Sequence, residues 1–244
     1  MKEIPIVFAD DYLIIIDKPA GITVTKSENE KGETIQDWVE KKLGIKKEEL
    51  RIKNKSDFYQ RAGVVHRLDK ETSGLLMIAK NEEYYFKLQQ QFLRREVEKT
   101  YTALVHGRIE TASLIIKNKV GRLPWNRRKF GVIEEGREAV TEIIRLKVYQ
   151  EPDGNSYSLI DVLPKTGRTH QIRIHLKHIN HPIVSDNLYA GRKVYRQDLK
   201  SCPRIFLHAR KIVFDNPEGG RKMTFESDLP EDLVKVLNLF TPVG

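Results

Sequence analysis

The sequence predicts a mixed α/β protein in which residues 1–244 form a single domain around a large, mostly antiparallel sheet with flanking helices. Three observations predict it. Short apolar runs closed by turn residues recur along the chain, which is the mark of buried strands. Helical periodicity is confined to a few isolated stretches between them. No linker or internal repeat divides the 244 residues, a length that one large domain accommodates.

Residues 4–18, IPIVFADDYLIIIDK, read as two strands folded about Asp10-Asp11. Pro19 and Gly21 stop the second strand, because proline lacks the N–H that a ladder needs. Thr34 followed by Asp37 has the form of a capping box, and Ile35, Trp38, Val39 and Leu43 fall at helical spacing. A short helix over 35–43, ended by Gly44, follows. Residues 44–62 are charge-rich and aperiodic and read as a surface excursion. In VVHRLDKETSGLLMIAK, residues 64–80, Val64-Val65 and the run 75–79 read as buried strands that pin a polar loop between them. Asn81 can cap a helix to about Arg95, with Tyr85, Leu88 and Phe92 as its apolar stripe. Strands are expected at 98–106, 139–149 and 157–163, the last two joined by the turn Glu151-Pro152-Asp153-Gly154. Pro164 to Gly167 break the chain before a helix from about Thr169 to His178, with Ile172, Leu176 and Ile179 facing inward. A strand at 205–214, a turn at 216–220, a short strand at 222–226 and a helix at 231–240 complete the chain.

Composition narrows the class. Lys and Arg number 43 against 34 Asp and Glu, a net charge of +9. Such an excess points to a polyanionic partner, nucleic acid first and an anionic membrane surface second. The alternative, a merely soluble basic protein, is separated from these only by clustering. The charge is clustered: Lys117, Lys119, Arg122, Arg127, Arg128 and Lys129 fall in a span without an acid, with Trp125 inside it and Phe130 beside it. Cations interleaved with aromatics suit RNA phosphates and unstacked bases. A solvated hairpin whose Trp125 packs onto the core fits the same pattern equally well. Arg192, Lys193, Arg196, Lys200 and Arg204 form a second cluster with only Asp198 among them. The one cysteine, Cys202, rules out an intrachain disulfide or a cysteine metal cluster. The N-terminal MKEIPIVFADD reaches acids too early for a signal peptide, and no apolar run exceeds five residues. A soluble, cytoplasmic monomer without a membrane partner is expected.

Two polar stretches carry the candidate chemistry. Residues 66–74 hold a cation, a carboxylate, hydroxyls and a glycine on a loop anchored at both ends, and Asp69 is the leading candidate. Ordinary turn chemistry is the alternative: Asp69 would accept from the backbone amides that follow it. Residues 163–178, LPKTGRTHQIRIHLKH, are dense in donors. Their histidines prompt a metal reading, but His170 lies off the face shared by His175 and His178, and no carboxylate falls between Asp161 and Asp186.

Taken together, DDYLIIIDKPAG (10–21), HRLDKETSGL (66–75), EKTYTALVHG (98–107), GRTHQIRIH (167–175) and LHARKIVF (207–214) resemble the RluA-type family of RNA pseudouridine synthases, in family order and across most of the chain. The resemblance implies the pseudouridine synthase fold with a central RNA-binding cleft, in a short form lacking an N-terminal RNA-binding domain. It implies isomerisation of uridines in structured RNA, a stem-loop of ribosomal RNA or tRNA, with no cofactor and no metal. Asp69 matches the family's catalytic aspartate, Arg173 the arginine that pairs with it, and Tyr101 the tyrosine on which the everted base stacks. An arginine suits that pairing because it stays charged and binds a carboxylate bidentately. Arg67 would displace the flipped base or touch phosphate, and Lys18 and Arg168 would contact RNA, as would Arg127, Arg128 and Lys129. Plain alternatives remain: Tyr101 as core, Arg67 as a surface ion pair, His208 as a packed or hydrogen-bonded residue. A non-catalytic RNA-binding protein on the same scaffold is the competing function.

Overall fold

The computed structural model describes residues 3–26, 32–44, 56–151 and 154–243. In chain order its elements are β1 (Ile6–Ala9), β2 (Leu13–Lys18), α1 (Ile35–Leu43), α2 (Asp57–Gln60), β3 (Ser73–Ala79), α3 (Glu82–Arg94) and β4 (Glu98–His106). They continue with β5 (Ser113–Leu123), β6 (Asn126–Val132), β7 (Arg137–Gln150), β8 (Ser156–Pro164), α4 (Gln171–His178) and α5 (Arg192–Asp198). The last are β9 (Leu207–Asp215), β10 (Lys222–Glu226), α6 (Glu231–Leu237) and β11 (Thr241–Val243). The strands make the large, mostly antiparallel sheet that the sequence predicts. No helix among the described residues is long and apolar enough to cross a membrane.

The chain divides into two compact units. The first runs to Val97 and includes Lys211–Ser227. Its hairpin β1–β2 turns where Asp10 Oδ1 accepts the amides of Tyr12 and Leu13 at 2.8 and 2.7 Å. β2 pairs antiparallel with β3, Ile15 opposite Met77 and Ile16 opposite Leu76. β3 is buried along its whole length, so its sequence is a continuous apolar run rather than an alternation. The capping box at α1 is present, with Thr34 Oγ1 accepting the Asp37 amide and Asp37 Oδ2 accepting the Thr34 amide. Asn81 caps α3, which lays Tyr84, Tyr85 and Leu88 against Leu13, Ile15 and Met77. Each such buried side chain contributes about 1.5–3 kcal/mol relative to exposure.

Two expectations need correction here. The surface excursion over 44–62 is interrupted by α2, whose Phe58 is buried edge-on to Tyr59 and Tyr85; residues 45–55 lie outside the described residues. Val64-Val65 is not a strand but a single bridge, Val64 opposite Ile78, since the backbone turns away at once into the polar loop.

The second unit comprises Glu98–Arg210 and the residues from Asp228 onward. β4 pairs with β8, β8 with β7, β7 with β5 and β5 with β6, all antiparallel. Ala103, Leu104, Ile160 and Val162 from these strands pack with Ile172 and Leu176 of α4 and Leu233 of α6. β5, β6, α5 and β11 are found beyond the elements read from sequence. β5 and β6 are largely solvated, so basic residues occupy positions that would otherwise show the strand period.

Candidate active-site loop and RNA-binding surface

In the first unit the loop that carries Asp69 is tied shut at its base. Val65 N donates to Met77 O at 3.1 Å and Ala79 N to Gly63 O at 2.8 Å. Gly63 is required at this closure: its φ is 75° and a Cβ there would stand 2.1 Å from Ala79 O. Within the loop, His66 Nε2 accepts the Met77 amide at 3.1 Å while its ring stacks on Phe92 at 5.1 Å. Leu68 and Thr72 are buried, Asp69 is half-buried and Arg67 is exposed. The amide of Thr72 donates to the main-chain carbonyl of Asp69 at 3.1 Å, so the turn is closed by backbone.

Lys18 does not lie where an RNA contact would. It is fully buried, and its ammonium donates to the carbonyls of Pro19 at 2.8 Å, Ile22 at 3.0 Å and Lys70 at 3.0 Å. The same Lys70 carbonyl accepts the Gly21 amide at 2.8 Å. A buried ammonium must have its donors satisfied, and these carbonyls do so. Lys18 therefore fastens the carbonyl of the residue next to Asp69, and its burial withholds the ammonium from the surface.

In the second unit the donor-rich stretch is organised around α4. Gln171 staples its start: Oε1 accepts from Thr166 Oγ1 at 2.7 Å and the Arg168 amide at 3.0 Å, and Nε2 donates to Val140 O and Thr141 Oγ1, both at 3.0 Å. His170, before the helix, has a left-handed φ of 55°, and its Nδ1 pairs with Tyr189 OH at 3.0 Å. Arg173 is buried and held by Asp186: Nε to Oδ2 at 2.8 Å, Nη2 to Oδ1 at 2.7 Å. Its Nη2 also reaches Asn187 Oδ1 at 3.3 Å, and its guanidinium sits 5.2 Å over the Tyr189 ring. Asp186, itself fully buried, accepts the amides of Leu188 and Tyr189 as well. The guanidinium is thereby fixed in plane and in direction. Asp186 was missed in the sequence, although Asp-Asn-Leu-Tyr is an Asp-initiated turn signal.

Tyr101, on β4 opposite Val162, is half-buried and packs against the core of its unit. Arg168 is partly exposed and donates from Nε to Glu138 O at 3.1 Å. Lys129 is exposed on β6; the side chains of Arg127 and Arg128 lie outside the described residues. Trp125 sits at the tip of the β5–β6 hairpin and is 78% exposed, so it does not pack onto the core. In the second basic cluster Arg204 is taken by Asp232 in a bidentate pair at 2.6 and 3.0 Å. Asp198 is buried on His106 Nε2 at 3.0 Å and the Ser185 amide at 2.8 Å. Arg192, Lys193, Arg196 and Lys200 are left as an exposed cationic face. The histidines of this region diverge: His170 to Tyr189, His175 Nδ1 to Thr141 Oγ1 and His181 Nδ1 to the His106 carbonyl.

The exposed cations on the β5–β6 hairpin and on and after α5, carried on a mostly antiparallel sheet, suit a polyanionic partner such as RNA. The pattern of the RNA pseudouridylate synthase family matches residues 12–178, and the chain belongs to that family. It is 36% identical over 247 residues to a ribosomal large subunit pseudouridine synthase D of Pseudomonas aeruginosa, covering 97% of this chain and 72% of that protein. It is 38% identical over 250 residues to an uncharacterized RNA pseudouridine synthase of Chlorobaculum parvum, covering 96% and 73% respectively. The solved structure of human RNA pseudouridylate synthase domain containing 1 shares the fold, with a TM-score of 0.75 at 24% identity over 99% of this chain and 89% of that one. The protein is accordingly an isomerase that converts uridine to pseudouridine in RNA.

Proposed function

We propose that this protein isomerises uridines of large-subunit ribosomal RNA, with Asp69 as the catalytic carboxylate and the whole of residues 1–244 acting as one catalytic domain. The observation that carries the reading is the loop itself: a half-buried Asp69 held between a closed base and a Lys18 anchor that touches the next residue's carbonyl. So rigid a presentation suits a group that must meet a sugar or base in one geometry. The reaction exchanges the N1–C1′ bond of uridine for a C5–C1′ bond, and the substrate is neither oxidised nor hydrolysed. One ionised carboxylate suffices to attack or to take a proton. Arg173 serves as a cation of the active site, and Tyr101 as the ring on which the turned-out base rests. Arg67 and Arg168 contact the RNA, and the β5–β6 hairpin with Arg127, Arg128 and Lys129 follows its backbone. The ribosomal substrate is favoured over tRNA by the name of the Pseudomonas relative. The protein acts as a cytoplasmic monomer.

The test is Asp69→Asn, which keeps shape and loses charge. Pseudouridine in ribosomal RNA, mapped in cells carrying wild type or variant, should disappear from the target positions while RNA affinity stays within about twofold. An active variant refutes the assignment.

A further inference from the structure

Within the second unit a cavity of about 550 Å³ opens beside the β5–β6 hairpin and the turn at Gly167; the reading above uses Arg168 and the hairpin's basic tip for backbone contacts but assigns the cavity itself no occupant. Its volume falls within the roughly 300–1,000 Å³ of small-ligand sites. Arg122, Phe130, Glu135, Arg137, Gly167 and Arg168 line it, so three guanidinium residues face one carboxylate. The Arg122 guanidinium sits 5.0 Å over the Phe130 ring. Phe130 is in turn held edge-on to His170 at 5.9 Å and packed against Val120, Ala139 and Ile174. A planar cation laid on a fixed ring is a surface onto which a nucleobase stacks. The glycines show which side is open. A Cβ at Gly121 would meet Ile133 Cδ1 at 2.6 Å, and one at Gly136 would meet backbone at 2.8 Å, so the hairpin side is closed. A Cβ at Gly167 would meet nothing within 4 Å, so a ligand can approach that backbone.

We propose that this cavity holds one unpaired nucleotide of the RNA, distinct from the uridine that reacts. Its base stacks on the Arg122–Phe130 pair and its phosphate lies among Arg137 and Arg168. Glu135 supplies an acceptor for an exocyclic amino group, which favours adenine, cytosine or guanine over uracil. The inference rests on the RNA reading above.

The discriminating variant is Arg122→Lys, which keeps the charge and loses the plane. The probes are fluorescein-labelled single-stranded A8 and U8 oligoribonucleotides and a 12-base-pair RNA duplex, titrated by anisotropy at one fixed salt concentration. Loss of a stacked base corresponds to about 5- to 150-fold in affinity. Arg122→Lys should weaken A8 binding at least about fivefold and leave the duplex unchanged, and Phe130→Leu should do the same. Wild type should prefer A8 to U8. Should Phe130→Leu fail to fold, Arg122→Lys, which leaves the apolar packing in place, decides alone. Equal weakening of strand and duplex, or no weakening of A8, overturns the proposal. Wild type that forms no pseudouridine in ribosomal RNA sinks the parent reading instead. Active wild type with Arg122→Lys unchanged on both probes sinks only the nucleotide site.

Discussion

His175 should make this fold lose stability in mild acid. It is fully buried on α4; its Nδ1 pairs with Thr141 Oγ1 at 2.8 Å, and its Nε2 is buried with no hydrogen-bond partner among the described residues. Burial, helped by the nearby His178, pushes the imidazole from the ordinary 6.5 down to about 4. The unfolded chain therefore takes up a proton below pH 6.5, whereas the folded protein resists until near pH 4. The contribution is complete above pH 6.5 and is lost as the pH falls through this window. Between pH 7.5 and 5.0 the loss works out at about 2 kcal/mol for this one group, from the two protonation constants. Urea unfolding of wild type and His175→Gln at both pH values isolates it, because the carboxylates contribute equally to both proteins and cancel. The variant has lower stability at pH 7.5 but should lose about 2 kcal/mol less on acidification. An identical acid loss in the two proteins would refute the assignment of a neutral, desolvated imidazole.

Other consequences are more direct. Lys18→Met leaves the carbonyls of Pro19, Ile22 and Lys70 without their ammonium; turnover should fall at least about tenfold and the Gly21 amide should exchange faster, whereas wild-type values for both would remove Lys18 from the loop's support. Gly63→Ala forces a Cβ against the Ala79 carbonyl at positive φ and should cost on the order of 2 kcal/mol or more in thermal unfolding; a neutral result would mean the loop base relaxes freely. Arg173→Lys cannot reproduce the two-pronged pair with Asp186, so kcat should drop by at least about tenfold with KM little changed, and unaltered kcat would place Arg173 outside the chemistry.

Much of this molecule is decided within a few residues along the chain, and that part was legible. Thr34 and Asp37 cap α1 through their own backbone neighbours, and Asn81 does the same for α3. β2, β3, β4 and β8 are apolar enough to read as strands because both of their faces, or most of them, are covered. The nomination of Asp69 and Arg173 as candidates rests on ordered motifs of contiguous residues. Side-chain partners separated along the chain were not legible. Lys18 reads as a surface cation until the carbonyl of Lys70, 52 residues on, comes within reach and absorbs it. Asp186 carries no signal of its role along the chain, because Arg173 closes on it from 13 residues away. β5 and β6 escape notice because an exposed strand is held by backbone pairing, which any side chain permits, and so leaves little hydrophobic pattern. Sequence by itself determined the covered strands, the capped helices, the family and the candidate residues, since those rest on local propensity and contiguous motif. Only tertiary structure decided which charges are buried and held and which remain exposed, because desolvation and pairing depend on what arrives from elsewhere in the chain.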